Sequence, residues 1–140
     1  MSSTAATPAN AGTTRPNWNE IVSKTLAEQG LWPTYQALVA EIAKRPDDLS
    51  LRGYCEIIRS MAVKDFLAAP KGLSAAPRLT AEFLTDFARF NLSAQEGYLI
   101  SLIDGRITIQ SLLKLSPFDP FTSLFTLARL QFQRAIAIPT

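Results

Sequence analysis

The 140-residue sequence predicts a mainly α-helical protein: a helical bundle over residues 17–69 packed on a C-terminal helix-turn-helix module over residues 79–140 with one or two short strands. Three observations predict it. Apolar residues recur at i, i+3, i+4 and i+7, as a helix with one buried face requires. Side chains able to accept hydrogen bonds from the unpaired N–H groups of a first helical turn stand just ahead of those runs: Asn17, Asp47, Asp48, Ser93, Thr108 and Asp119. Residues that end helices close them, at Gly30, Pro46, Pro70, Gly105 and Pro117.

Residues 1–16, MSSTAATPANAGTTRP, carry one charge, Arg15, and little that could offset the entropy of ordering, so they predict a disordered tail. A solvated leader is the simple reading, and a docking or phosphorylation segment is the other. Asn17 and Glu20 then pair as a cap for a helix from Trp18 to Gln29, whose Trp18, Ile21, Val22 and Leu26 share a stripe. Pro33 suits the first turn of a second helix, in which Tyr35, Leu38, Val39 and Ile42 keep the helical spacing up to Pro46. Asp47 and Asp48 introduce a third, with Leu51, Tyr54, Cys55, Ile58 and Ala62, running to Ala68. Three amphipathic helices on short connections predict an antiparallel bundle.

The small-residue and proline segment APKGLSAAP, residues 69–77, marks a hinge, so residues 70–78 are assigned as a linker. RLTAEFLTDFARFN then reads two ways. Leu79 could begin a short extended piece, while Phe83, Leu84, Phe87 and Phe90 fit a helix, which is favoured. Ser93 and Glu96 form an S-x-x-E capping box for a helix from Ala94 to Ile103, ended by Asp104 and Gly105. Thr108 caps Ile109 to Leu115, and Asp119-Pro120 launches a helix from Pro120 to Gln133. AIAIP closes the chain as a strand candidate. Helix, short helix, longer helix and strand is the order of a winged-helix-like module.

Composition narrows the function. The sequence has no histidine and one cysteine, Cys55, which sits on an apolar stripe; no internal disulfide, Cys/His zinc site or histidine-based acid–base chemistry is available. Asp47 and Asp48 are explained by capping, Lys64 and Asp65 point to different faces, and neither G-x-x-x-x-G-K-[ST] nor G-x-G-x-x-G occurs. The expectation is therefore a non-enzyme with no catalytic, metal or cofactor site. A net charge of +2 from 14 basic and 12 acidic residues gives no basic stripe. Charge is uneven within the module. Glu82, Asp86, Glu96 and Asp104 against Arg89 leave −3 in residues 80–105, and Arg106, Lys114, Arg129 and Arg134 against Asp119 leave +3 in residues 106–140. No apolar run reaches the roughly 20 residues that cross a bilayer, and the N-terminus lacks the apolar core of a secretion signal, so a cytoplasmic protein with no membrane partner is expected.

The last helix decides between DNA and protein. PFTSLFTLARLQFQ offers Arg129 as its single basic residue, where a recognition helix needs several polar and basic side chains aimed at base edges. DNA is disfavoured. Phe121, Leu124, Ala128 and Phe132, extended by Phe125, form an expected inner stripe, while Leu127, Leu130 and Phe118 lie off it and call for a second apolar neighbour. Phe118, Phe121, Phe125, Leu127, Arg129 and Leu130 are accordingly the partner-binding candidates, set beside the simpler explanation of core packing. The partner expected is a protein or a second copy of the chain.

Leu92, Ser93, Gly97, Tyr98, Leu99, Ile100, Ser101, Ile103, Asp104 and Gly105 make a motif that is followed by a short helix and a Leu-rich one. By this motif residues 79–138 resemble uncharacterised winged-helix-like modules found at the C-terminal ends of bacterial signalling proteins. Those modules commonly follow tetratricopeptide-like helices or phosphopeptide-binding domains, and PTYQALVAEIAKRPDDLSLRGYCEII is similar to one tetratricopeptide-like turn, without a clear second repeat. The resemblance implies a bacterial adaptor or regulator in signal transduction that works by protein binding. The alternative is a winged-helix, transcription-associated DNA-binding regulator.

Overall fold

The computed structural model describes residues 16–139, which form seven α-helices, two 3₁₀ turns and a two-stranded antiparallel sheet. The tail expected over residues 1–16 lies, apart from Pro16, outside the described residues. The chain divides into two compact units between Ile58 and Arg59.

The N-terminal unit holds α1 (Trp18–Gln29), α2 (Leu31–Lys44) and the first part of α3 (Leu49–Leu67). Its core is Val22, Leu38, Leu51, Cys55 and Ile58, with Trp18, Leu26, Leu31, Tyr35, Ile42 and Tyr54 packed against it. Asn17 accepts from Glu20 N at 3.2 Å to start α1. A single residue, Gly30, joins α1 to α2. At φ 90° it lies where side-chain-bearing residues rarely go, its N–H donates to Leu26 O and its carbonyl accepts from the Thr34 hydroxyl at 2.7 Å. Asp48 Oδ1 accepts from Ser50 N and Leu51 N, while its Oδ2 accepts from Trp18 Nε1 at 3.1 Å. One carboxylate thus caps α3 and anchors the start of α1, and the Arg45 guanidinium lies 5.6 Å from the centre of the Trp18 ring.

In the C-terminal unit, β1 (Arg78–Leu79) leads into α4 (Ala81–Thr85), α5 (Ala94–Leu102), α6 (Ile109–Leu115), α7 (Pro120–Phe132) and β2 (Ile136–Ala137). The strands pair Arg78 with Ala137 and Leu79 with Ile136. α7 packs on α5, α6 and β2. The end of α7 is a Schellman closure: Ala135 N donates to Leu130 O at 2.9 Å and Arg134 N to Gln131 O at 3.0 Å, with Arg134 at φ 66°. Thr80 locks that corner, its hydroxyl donating to Arg134 O at 2.6 Å while accepting from Phe83 N.

Two expectations are corrected. Residues 70–78 are not a free linker: Ala75 and Pro77 are fully buried, Ala75 O accepts from Ile109 N at 2.8 Å, and Gly72–Ser74 form a 3₁₀ turn packed on α6. Small residues and prolines fit there because backbone meets backbone closely, a requirement that looks like a hinge in sequence. Residues 83–90 do not form one helix. Asp86, at φ −147° and ψ 63°, ends α4, and a 3₁₀ turn over Phe87–Phe90 follows. The tighter turn brings the Phe87 and Phe90 rings to 6.4 Å and 5.3 Å from Phe83.

Candidate functional site

The six partner-binding candidates separate by burial. Leu127 and Leu130 are 0% exposed and Phe125 is 5% exposed, so these three are core residues with no surface to offer a partner, a correction to the expected assignment. Phe132, expected on the inner stripe, is half exposed. The reason is length: α7 is buried on every side from Ser123 to Ala128, whereas its last turn emerges at Phe132. Buried polar groups on that stretch are satisfied locally, Thr126 donating to Thr122 O at 2.8 Å and Ser123 sharing a 2.8 Å hydrogen bond with Ser116.

Phe118, Phe121 and Arg129 remain partly accessible. Phe118 meets Tyr98 edge-on at 6.1 Å. The Arg59 guanidinium covers the Phe121 and Phe125 rings at 5.2 and 4.9 Å. Arg129 is 3.8 Å from Glu96 Oε2, and the Glu96 side chain is 6% exposed against 40% for Arg129. Glu96 serves the capping box with its other oxygen, accepting from Ser93 N at 2.9 Å while Ser93 Oγ accepts from Glu96 N. Its Oε2 makes no hydrogen bond and faces Arg129 through charge alone. Arg129 therefore has a structural partner, one ion pair between the acidic and the basic halves of the module.

The side chains that carry an open surface lie elsewhere. Leu84 and Phe87 are 64% and 66% exposed, three residues apart, on α4 and the turn after it. In the same segment, Glu82 and Arg89 form an ion pair at 3.4 Å. Both were on the expected helical stripe; what hid their exposure was the break at Asp86, which turns Phe83 alone into the core.

Among carboxylates, Asp104 and Asp119 sit below the ordinary carboxylate value. For Asp104 the cause is hydrogen bonds from the Ile107 and Arg106 N–H groups; for Asp119 it is the Thr122 hydroxyl and then the Thr122 N–H. Both are turn and cap carboxylates held in their charged form. Clefts of about 160 and 350 Å³ flank the Asp47–Ser50 turn, where Asp48 is already committed to capping and to Trp18. Among the described residues, no three His, Cys, Asp or Glu side chains are grouped so as to hold a metal ion, and no helix is long and apolar enough to cross a membrane. Comparison with protein-family models, with curated proteins and with solved structures finds no match.

Proposed function

We propose that the chain is a non-catalytic bacterial adaptor or regulator that acts by protein–protein contact in signalling, with residues 79–138 as a winged-helix-like interaction module. The observation that carries this reading is the exposure to water of two large apolar side chains, Leu84 and Phe87, on consecutive elements. Covering a side chain of this size is worth about 1.5–3 kcal/mol, so each offers a surface from which a partner gains. The element order β1, α4, α5, α6, α7, β2 supports the winged-helix-like description. The DNA-binding alternative draws no support from α7, whose middle is buried on all sides.

The test replaces Leu84 and Phe87 with Ser, singly and together, and measures oligomeric mass by light scattering together with capture of partners from the native cell extract. The expected outcome is an unchanged circular dichroism spectrum with loss of self-association or of a specific captured protein. Unaltered association in the double variant removes this surface from the function.

A further inference from the structure

α3 builds the core with one side and carries an apolar stripe on the other. Leu51, Cys55 and Ile58 are the buried side. Leu49, Gly53 and Ile57 stand four residues apart, so on this 19-residue helix they lie one above another along a single face. Leu49 is 79% and Ile57 55% exposed, and Gly53 between them is exposed as well.

Gly53 has no use within the chain that explains it. It is an ordinary helical position without a positive φ, so no turn or strained backbone calls for glycine there, and glycine inside a helix weakens it relative to alanine. Packing does not call for it either, since a Cβ built on Gly53 meets no neighbouring atom within 4 Å. A helical glycine between two exposed aliphatic side chains leaves a notch in the stripe, where a second helix can approach the backbone closely.

The stripe matches itself. Ile57 follows Gly53 by one helical turn, so in a second copy laid antiparallel on the first, Ile57 of each chain enters the notch over Gly53 of the other, and the contact occurs twice about a two-fold axis. A parallel copy would set Gly53 level with Gly53 and Ile57 level with Ile57, leaving the notch unfilled. Charge agrees with the antiparallel pairing. Arg52 and Glu56, both exposed, stand four residues apart along one edge of the stripe. Arg52 Nε donates to Pro46 O at 3.0 Å, a neutral acceptor that does not cancel its charge. A two-fold axis perpendicular to the helices keeps this edge facing its own copy while reversing its direction, which brings Arg52 of each chain beside Glu56 of the other.

We infer that the chain forms an antiparallel dimer through the Leu49–Gly53–Ile57 face of α3, a second copy of itself being the occupant. The inference does not rest on Leu84 and Phe87, which belong to the other unit.

Sedimentation equilibrium of the full chain over a range of concentrations reads the association, and circular dichroism in a denaturant titration reads the fold. The parent is expected to dimerise reversibly. Ile57→Ser and Gly53→Leu should each weaken the dimer at least about tenfold with the native spectrum kept. Gly53→Ala separates interface from architecture: it should weaken the dimer by filling the notch, while the monomer, measured below the dimerising concentration, is at least as stable as the parent because alanine favours the helix. The exchange Gly53→Ile/Ile57→Gly puts bulk opposite notch again in an antiparallel pair and should recover the dimer lost in Gly53→Leu. Glu56→Arg should weaken it, and Arg52→Glu/Glu56→Arg should recover it. A chain that stays monomeric up to about 1 mM, or a dimer that the α3 variants leave unaltered, overturns the inference. A Gly53→Ala monomer less stable than the parent assigns the glycine to the fold and overturns it too, and an exchange variant that does not recover overturns the antiparallel arrangement. A dimer abolished by Leu84→Ser/Phe87→Ser and by no α3 variant moves self-association to that surface; an unaltered dimer in Leu84→Ser/Phe87→Ser, with or without loss of captured partners, leaves the α3 pairing standing. A monomeric chain whose captured protein is lost in Ile57→Ser overturns the inference in favour of a different occupant.

Discussion

Arg134 sits at φ 66°, where the Cβ of an L residue crowds its own carbonyl and glycine does not. The Schellman geometry requires that conformation, because Ala135 N must reach Leu130 O. Arg134→Gly is therefore expected to raise stability by about 1 kcal/mol in a denaturant titration; no gain would show that the Arg134 side chain makes contacts that offset the strain. Asp104 gives a second prediction at this scale, with a definite sign. Its folded-state value lies below 3.8 because the Ile107 and Arg106 N–H groups favour the carboxylate. The stability it contributes is complete above that ordinary value and is lost as pH falls through the lower, folded-state one. Asp104→Ala should therefore be less stable than the parent at neutral pH, and the gap should close as the solution is acidified below about pH 4. A gap that persists in strong acid would assign the loss to packing in the turn. Both residues were visible in sequence, one as a turn signal and the other as an ordinary surface cation; only Asp104 announced its role.

α5 shows how far local chemistry carries an element. Ser93 Oγ accepts from Glu96 N at 3.2 Å, Glu96 Oε1 accepts from Ser93 N at 2.9 Å, and the helix starts at Ala94, where the S-x-x-E pattern predicts. Ser93→Ala should cost about 1 kcal/mol in a denaturant melt. An unchanged midpoint would show that Glu96 alone holds the first turn. Helices α1, α6 and α7 also begin after the expected Asn17, Thr108 and Asp119, because a cap is a contact between residues two or three positions apart and needs no tertiary structure. The same locality explains the failure over residues 83–90. The apolar spacing there is helical, and the break at Asp86 lets Phe87 and Phe90 meet Phe83 while Thr80 is tied to Arg134, 54 residues away. No local pattern encodes that tie.

At the scale of the molecule, α3 runs from Leu49 to Leu67 through the division at Ile58 and Arg59, so one helix supplies residues to both units. Trp18 and Trp32 both belong to the N-terminal unit, so tryptophan fluorescence reports that unit alone. Leu127, fully buried in α7, belongs to the other. Leu127→Ala should cost about 2–5 kcal/mol. Because fraying of α3 would reach Leu51, Cys55 and Ile58, the fluorescence and far-ultraviolet circular dichroism midpoints should fall together. A fluorescence midpoint left at the parent value would show that the units melt independently. The two units also differ in charge: residues 1–58 hold five basic and six acidic side chains, and residues 59–140 nine and six, or −1 and +3. The overall +2 conceals the excess in the C-terminal unit.

Local sequence chemistry is enough to place helix starts after Asn17, Asp48, Ser93, Thr108 and Asp119, and a strand within AIAIP, where Ile136–Ala137 form one. Those features follow from hydrogen bonds and apolar spacing within a few residues. Which apolar residues are buried depends on the folded chain as a whole. Leu127 and Leu130 have the composition of an interface and the burial of a core, because neighbours distant in sequence close around α7. The segment 70–78 has the composition of a linker and the hydrogen bonding of a packed element, because Ala75 meets Ile109. Leu84 and Phe87 share a spacing with Phe83 and yet face water. Arg78 and Gly105, 27 positions apart, become neighbours only when β1 lies against the turn before α6. Periodicity reports that a residue lies on a helical face; which neighbour covers that face depends on contacts between segments far apart in the chain, and those exist only in the folded state.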